Sequence, residues 1–248
     1  MLLLSRIKEL IQLVHILSID IIISALAITY WLSKEYQISL SFNYYILLAN
    51  SIAIIYWADH LFDKENTSRK QLFINYKTTF LCIILLLIVT NIFFLHFLSF
   101  KVIITAFVLL SIVGIYTLFQ NKIANSKGKE FITSFGYSAG CGIFLIDKPF
   151  LMFQNPLPIV SLFLIASQNA LLISFLDGNQ KQNQFSIYQS KLFLIALSII
   201  GIYLNFNNLN IIIIHLIYTL LALFPVKKEI ILVRSMIEIS FVIILLKI

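Results

Sequence analysis

Long apolar stretches alternate along this chain with short polar loops. Cutting it where charges, Asn and Pro cluster leaves segments near 10–32, 41–59, 77–98, 101–120, 131–153, 157–176, 190–205, 209–225 and 230–247. Segments of this length and composition are expected to be helices that cross a bilayer. The pattern predicts an all-α polytopic membrane bundle of about nine transmembrane helices, a single domain over 1–248. The seventh and eighth segments are close to the lower limit of about 17 residues for a span, and the NFNNLN break between them reads as a tight turn.

Composition strengthens that expectation: 60% of residues are hydrophobic, 12% are charged, and the mean hydropathy is +0.96. A water-facing domain rarely carries so little charge. Arg6 and Lys8 precede the first apolar run without a small-residue cleavage site, so that segment is expected to be retained. With the N-terminus in the cytoplasm, 14 of the 18 basic residues fall on the inner side, only Lys34, Lys101, Lys148 and Lys247 lying outside. The net charge of +7 then reflects topology in an inner (plasma) membrane, and no nucleic-acid partner is expected. Cys82 and Cys141 lie in apolar surroundings with no Cys or His at ligand spacing, and read as packing residues.

Candidate chemistry concentrates in the loops assigned to the cytoplasmic side. Asp59 and Asp63 close the second segment four residues apart, about one helical turn, so both carboxylates face the same way. Such a pair suits a hard divalent cation and, through it, phosphate oxygens. Asp177 closes the sixth segment at the corresponding place in a second group of four helices, which reads as a weak internal repeat. The plainer account is that polar loops follow alternate spans in any polytopic chain. His60, between the two acids, points off their shared face and reads as solvated or hydrogen-bonding.

Y-x-x-D-x-x-x-D at Tyr56, Asp59 and Asp63, a following basic loop, and a second acidic loop at Asp177 resemble the UbiA-type intramembrane prenyltransferases over nearly the whole chain. Ile55 stands where the family's first motif has Asn. Arg69 and Lys70 resemble the basic residues trailing that motif, Tyr116 the Tyr of a Y-x-x-x-K signature whose Lys position holds Gln120, Lys129-Glu130 a K-E pair, and Arg234 with Glu238 an R-x-x-x-E. The second motif reads Asp177-Gly178-Asn179-Gln180-Lys181, with one carboxylate where the family has two or three.

The resemblance implies a Mg²⁺-dependent transfer of an isoprenyl chain from an allylic diphosphate donor to a lipophilic, often aromatic acceptor, on the cytoplasmic side of the membrane. It implies catalytic and metal-binding roles for Asp59, Asp63 and Asp177, with Asn179 as a further metal ligand. Arg69, Lys70, Lys122, Lys129 and Lys181 would meet the diphosphate, and Tyr56, Tyr116, Tyr137, Asn50 and Ser174 would line the cavity. Metal and basic residues would stabilise charge on the departing diphosphate, and ring faces the allylic cation. The alternative is a catalytically silent, transport or binding-type polytopic membrane protein that keeps the bundle, for which the reduced second motif argues. A CDP-alcohol phosphotransferase fits less well, because Asp177-Gly178 lacks the A-R and later acids which that family requires.

Asp20 falls inside the first segment, where a carboxylate is costly unless it faces the interior and finds a partner. Arg234 and Glu238, four apart, are expected to pair on one helix face. His96 and His215 have no acid or His at ligand spacing and read as structural.

Overall fold

The computed structural model describes residues 11, 13–14, 17–62, 73–123, 129–176 and 187–223. Helices begin where the local chemistry favours a start. Ser99 Oγ accepts the Val102 N–H at 3.2 Å and Asn208 Oδ1 the Ile211 N–H at 3.4 Å, each satisfying a donor that the first helical turn leaves open. Pro149 occupies a first-turn position, where its missing N–H costs nothing. Nine α-helices follow among the described residues: α1 (Ile19–Glu35), α2 (Phe42–Phe62), α3 (Lys77–Phe94), α4 (Phe100–Ile123), α5 (Lys129–Cys141), α6 (Pro149–Gln154), α7 (Leu157–Leu176), α8 (Ile187–Leu204) and α9 (Leu209–Leu223). Short 3₁₀ turns at Leu95–Phe97 and Ile143–Asp147 follow α3 and α5.

The centre of the fold is α7, which packs against α1, α5, α8 and α9. Ala25, Ile28 and Leu32 of α1, Cys141 of α5, Leu162, Ile165 and Leu172 of α7, Leu194 of α8, and Ile214 and Tyr218 of α9 form one buried apolar cluster. Each fully buried Leu or Ile contributes about 1.5–3 kcal/mol, so this cluster is the main favourable term holding the helices together. A hairpin of α2 and α3 joins through α2 to α1. Asn50 Nδ2 donates to Thr90 Oγ1 at 3.3 Å, and Asn91 Nδ2 to Ser51 Oγ at 3.2 Å, fixing the register of that hairpin.

Two apolar segments are interrupted by the backbone. Segment 10–32 breaks at Ser18, whose φ of 57° is left-handed and cannot continue a helix. Segment 131–153 divides after Cys141 into a 3₁₀ turn and α6. At the break, a Cβ on Gly142 would come 2.9 Å from Ile159 Cδ1, so the bare backbone lets the turn lie against α7. Thr29 Oγ1 of α1 donates to the Cys141 carbonyl at 3.2 Å, satisfying an acceptor left open at the end of α5.

These findings correct the expected nine-span, UbiA-like membrane bundle. Among the described residues one helical stretch, Lys77–Phe97, is long and apolar enough to cross a membrane by length and composition. Among residues whose side chains are described, the apolar stretches of five other helices are Phe42–Ala58, Phe100–Ile112, Leu157–Leu172, Gln189–Leu204 and Leu209–Leu223. The chain is instead a packed all-α arrangement around α7. Hydropathy had joined residues that the breaks at Ser18 and Gly142 separate, and mean hydropathy does not distinguish a spanning helix from a shorter one in an apolar core. The bilayer partner and the multi-pass inner-membrane placement fall with the bundle, because the sidedness count needs alternate loops on opposite faces of a membrane. Arg6 and Lys8 ahead of the first segment, the ninth segment and the Arg234–Glu238 pair lie outside the described residues.

Leu172→Ala should lower the unfolding free energy by about 2–5 kcal/mol in a denaturant titration, because Leu172 is fully enclosed. Leu85→Ala, at a position 63% exposed, should change it by no more than about 0.5 kcal/mol.

Candidate functional site

The best-defined polar constellation lies inside the seam of α7, α8 and α9. His215 on α9 is fully buried, and its Nδ1 lies 2.5 Å from Gln168 Oε1 on α7. The Gln168 amide nitrogen faces two oxygens of α8, Ser198 Oγ at 2.5 Å and the Leu194 carbonyl at 3.4 Å. A main-chain carbonyl only accepts, so the amide NH₂ belongs on that side and Oε1 faces the imidazole. His215 Nδ1 therefore carries the proton and donates to Gln168, which leaves Nε2 as the unprotonated nitrogen.

Hydroxyls close the rest of the network. Thr219 Oγ1 lies 2.6 Å from Ser198 Oγ and 2.9 Å from the His215 carbonyl, and Ser198 Oγ lies 2.9 Å from the Leu194 carbonyl. Just beyond the end of α8, Asn205 binds Ser161 Oγ at 2.8 Å and the Gly201 carbonyl at 2.9 Å. Nε2 of His215 has no hydrogen-bond partner. A Cβ at position 201 would overlap the imidazole, so Gly201 is the residue that makes room for the ring against α8. Burial pushes the His215 pKa down to about 4, holding the ring neutral.

A second polar convergence is a cavity of about 10 Å³ between α1, α5 and α7, lined by Ser24, Tyr137 and Asn169 with Ile28, Leu162, Ile165 and Ala166. Ser24 Oγ is buried there without a partner. The space matches one water molecule and nothing larger. One turn before Ser24 on α1, Asp20 is buried, and its Oδ1 accepts the Ile21 N–H at 3.0 Å. A carboxylate in the first turn of a helix is favoured by the partial positive charge there. Asp20 thus sits at a helix start, and not within a long spanning helix.

The residues singled out by sequence are distributed as follows. Tyr137 lines the cavity, Asn50 pairs with Thr90 in the α2–α3 hairpin, and Tyr56 and Tyr116 are half-buried on α2 and α4. Asp59, Lys122, Lys129 and Ser174 lie on helices α2, α4, α5 and α7 respectively, with side chains outside the described residues. Asp63, Arg69, Lys70, Asp177, Asn179 and Lys181, and with them the expected Mg²⁺ site, lie outside the described residues altogether. His60 is buried against Phe73 and lies 3.5 Å from Ser18 Oγ through Nε2, while Trp57 donates to the Leu17 carbonyl at 2.9 Å. Cys82 is exposed on α3, not packed, whereas Cys141 belongs to the core. Sequence reading passed over Gln168 and Gly201, because their partners are distant along the chain; the available signal was a long apolar helix carrying two adjacent amides, Gln168 and Asn169.

Gln168→Leu removes the acceptor of one buried donor and the donor to Ser198, and should cost about 1–3 kcal/mol of stability. Gly201→Ala should cost a similar amount, about 1–3 kcal/mol from overpacking, and should shift the ring resonances of His215 in an NMR spectrum.

No family model matches this chain, and neither a curated protein nor a solved structure matches it. Among the described residues no group of three or more His, Cys, Asp or Glu side chains is placed to hold a metal ion. Together with the single span candidate among the described residues, these findings correct the resemblance to UbiA-type prenyltransferases and the activity drawn from it: the enzymatic assignment, the isoprenyl diphosphate donor and the lipophilic acceptor. The motifs behind it are short, and acids four apart at a helix end recur in unrelated helices. The alternative of a silent membrane protein on the same bundle falls on the same ground.

Proposed function

We propose that this chain is a helical interaction protein, and that α3 is its docking face for an apolar helix of a partner protein. The observation that supports this reading is the exposure of α3: within Lys77–Phe97, 11% of the most apolar stretch is buried. Its inner side is fastened to α2 by the Asn50–Thr90 and Asn91–Ser51 pairs, and Phe80 and Ile84 are buried. The outward positions Cys82, Leu85, Val89 and Ile92 follow a spacing of three, four and three residues. Steps that alternate between three and four belong to the repeat with which one helix meshes with another. Contiguous apolar surface of this kind marks an interaction site, because leaving it in water is unfavourable.

The test uses the full chain in cells, with photoreactive p-benzoylphenylalanine in place of Val89. The expected product is a discrete protein adduct. Adding Leu85→Glu and Ile92→Glu should reduce it about tenfold or more, since each would bury an unpaired charge at the contact. Adducts of lipid mass alone, or a protein adduct indifferent to the two glutamates, would overturn the reading.

A further inference from the structure

We propose that the α8–α9 contact is an acid-sensitive latch, in which protonation of His215 at Nε2 releases α9 from Gly201 while the packing of α7 against α1 and α5 persists. In the closed form His215 has one proton, on Nδ1, and that proton is used by Gln168. The second nitrogen faces the bare backbone at Gly201 and has no hydrogen-bond partner. A proton added at Nε2 would place a charged donor against a helix surface that offers it no acceptor. The main-chain carbonyls of α8 at this level are already taken up: that of Leu194 by Ser198 and Gln168, and that of Gly201 by Asn205. Burying an unpaired charge is far more costly than opening a local helix contact, so the imidazolium form favours separation.

The neighbouring groups offer no compensation. Neither α7, α8 nor α9 carries an Asp or Glu, so no carboxylate on the helices packed around His215 stabilises its positive form. On α9 the other titratable group is Tyr218, one turn away and buried. On α8 they are Lys191, Tyr203, which is 81% exposed, and Tyr188, whose side chain lies outside the described residues. Lys191 lies ten residues before Gly201, about 15 Å along the helix. α7 has no titratable side chain between Leu157 and Leu176.

The direction of the pH dependence follows from the neutral ring being the form the closed seam holds. The folded-state value of about 4 is below the open-state value of about 6.5. The contribution of the seam is therefore complete above about pH 6.5 and is lost as pH falls through about 4. Linkage over that interval raises the open-to-closed ratio of α9 about 100-fold between pH 7.5 and pH 4.

Hydrogen exchange on the full chain, corrected for the intrinsic pH dependence of exchange, reads this directly. Amides of Leu209–Leu223 should lose protection about 100-fold over that range relative to those of Leu157–Leu176. His215→Gln, which cannot titrate, should abolish the difference. Should that variant fail to fold, the imidazole nitrogen shifts of the wild-type protein decide: the latch requires the Nδ1–H tautomer at neutral pH and protonation that coincides with the loss of α9 protection. Equal acid sensitivity in His215→Gln would overturn the proposal. So would titration of His215 near 6.5 with α9 still protected.

Discussion

The structure depends on the enclosure of α7 by α1, α5, α8 and α9. Enclosure on so many sides leaves no exit to water for Ser161, Ser167 and Gln168 of that helix. Ser161 and Gln168 must find their partners on the helices beside them, and they do so on α8 and α9. A buried donor or acceptor left unmade costs about 1–3 kcal/mol, comparable with the gain from burying one leucine. The apolar cluster therefore supplies most of the cohesion, and the polar partners set the angle and register at which the helices meet.

This division of labour accounts for the asymmetry of the molecule. In the α7–α8–α9 seam, polar groups come in reciprocal sets: amide to imidazole, hydroxyl to carbonyl, amide to hydroxyl. In the α2–α3 hairpin two amide–hydroxyl pairs do the same on a smaller scale, and the opposite face of α3 is left uniformly apolar. One side of the protein is thus specified by directional bonds and the other offers area without direction. The first arrangement suits a contact that responds to a single proton. The second suits a contact with another apolar helix, where meshing of side chains and not hydrogen bonding selects the partner.

Much of the helix layout is legible in the sequence. Segment 157–176 forms α7 over the same residues, because Pro156 and Pro158 fix its start and no helix breaker intervenes before Leu176. Segment 77–98 coincides closely with α3 and its 3₁₀ extension, and Asn208 marks the start of α9. The break at Ser18 is invisible to hydropathy, since a left-handed φ at a serine has no compositional signature. The candidate site was less legible still: at the water-sized cavity Tyr137 meets Ser24 and Asn169, which come from positions more than 30 residues away on either side.

What the sequence determines by itself is local: where helices begin, that their surfaces are overwhelmingly apolar, and that charge gathers toward helix ends and the connections between them. Such properties follow from neighbours along the chain, through capping, proline geometry and side-chain transfer energy. Only the tertiary structure decides which face of each helix is enclosed, that His215 meets Gln168 across 47 residues, and that Gly201 makes room for the ring. The physical reason is that a buried polar group is defined by what reaches it. Its protonation, its tautomer and its cost are set by atoms from other helices, and no local pattern records their approach.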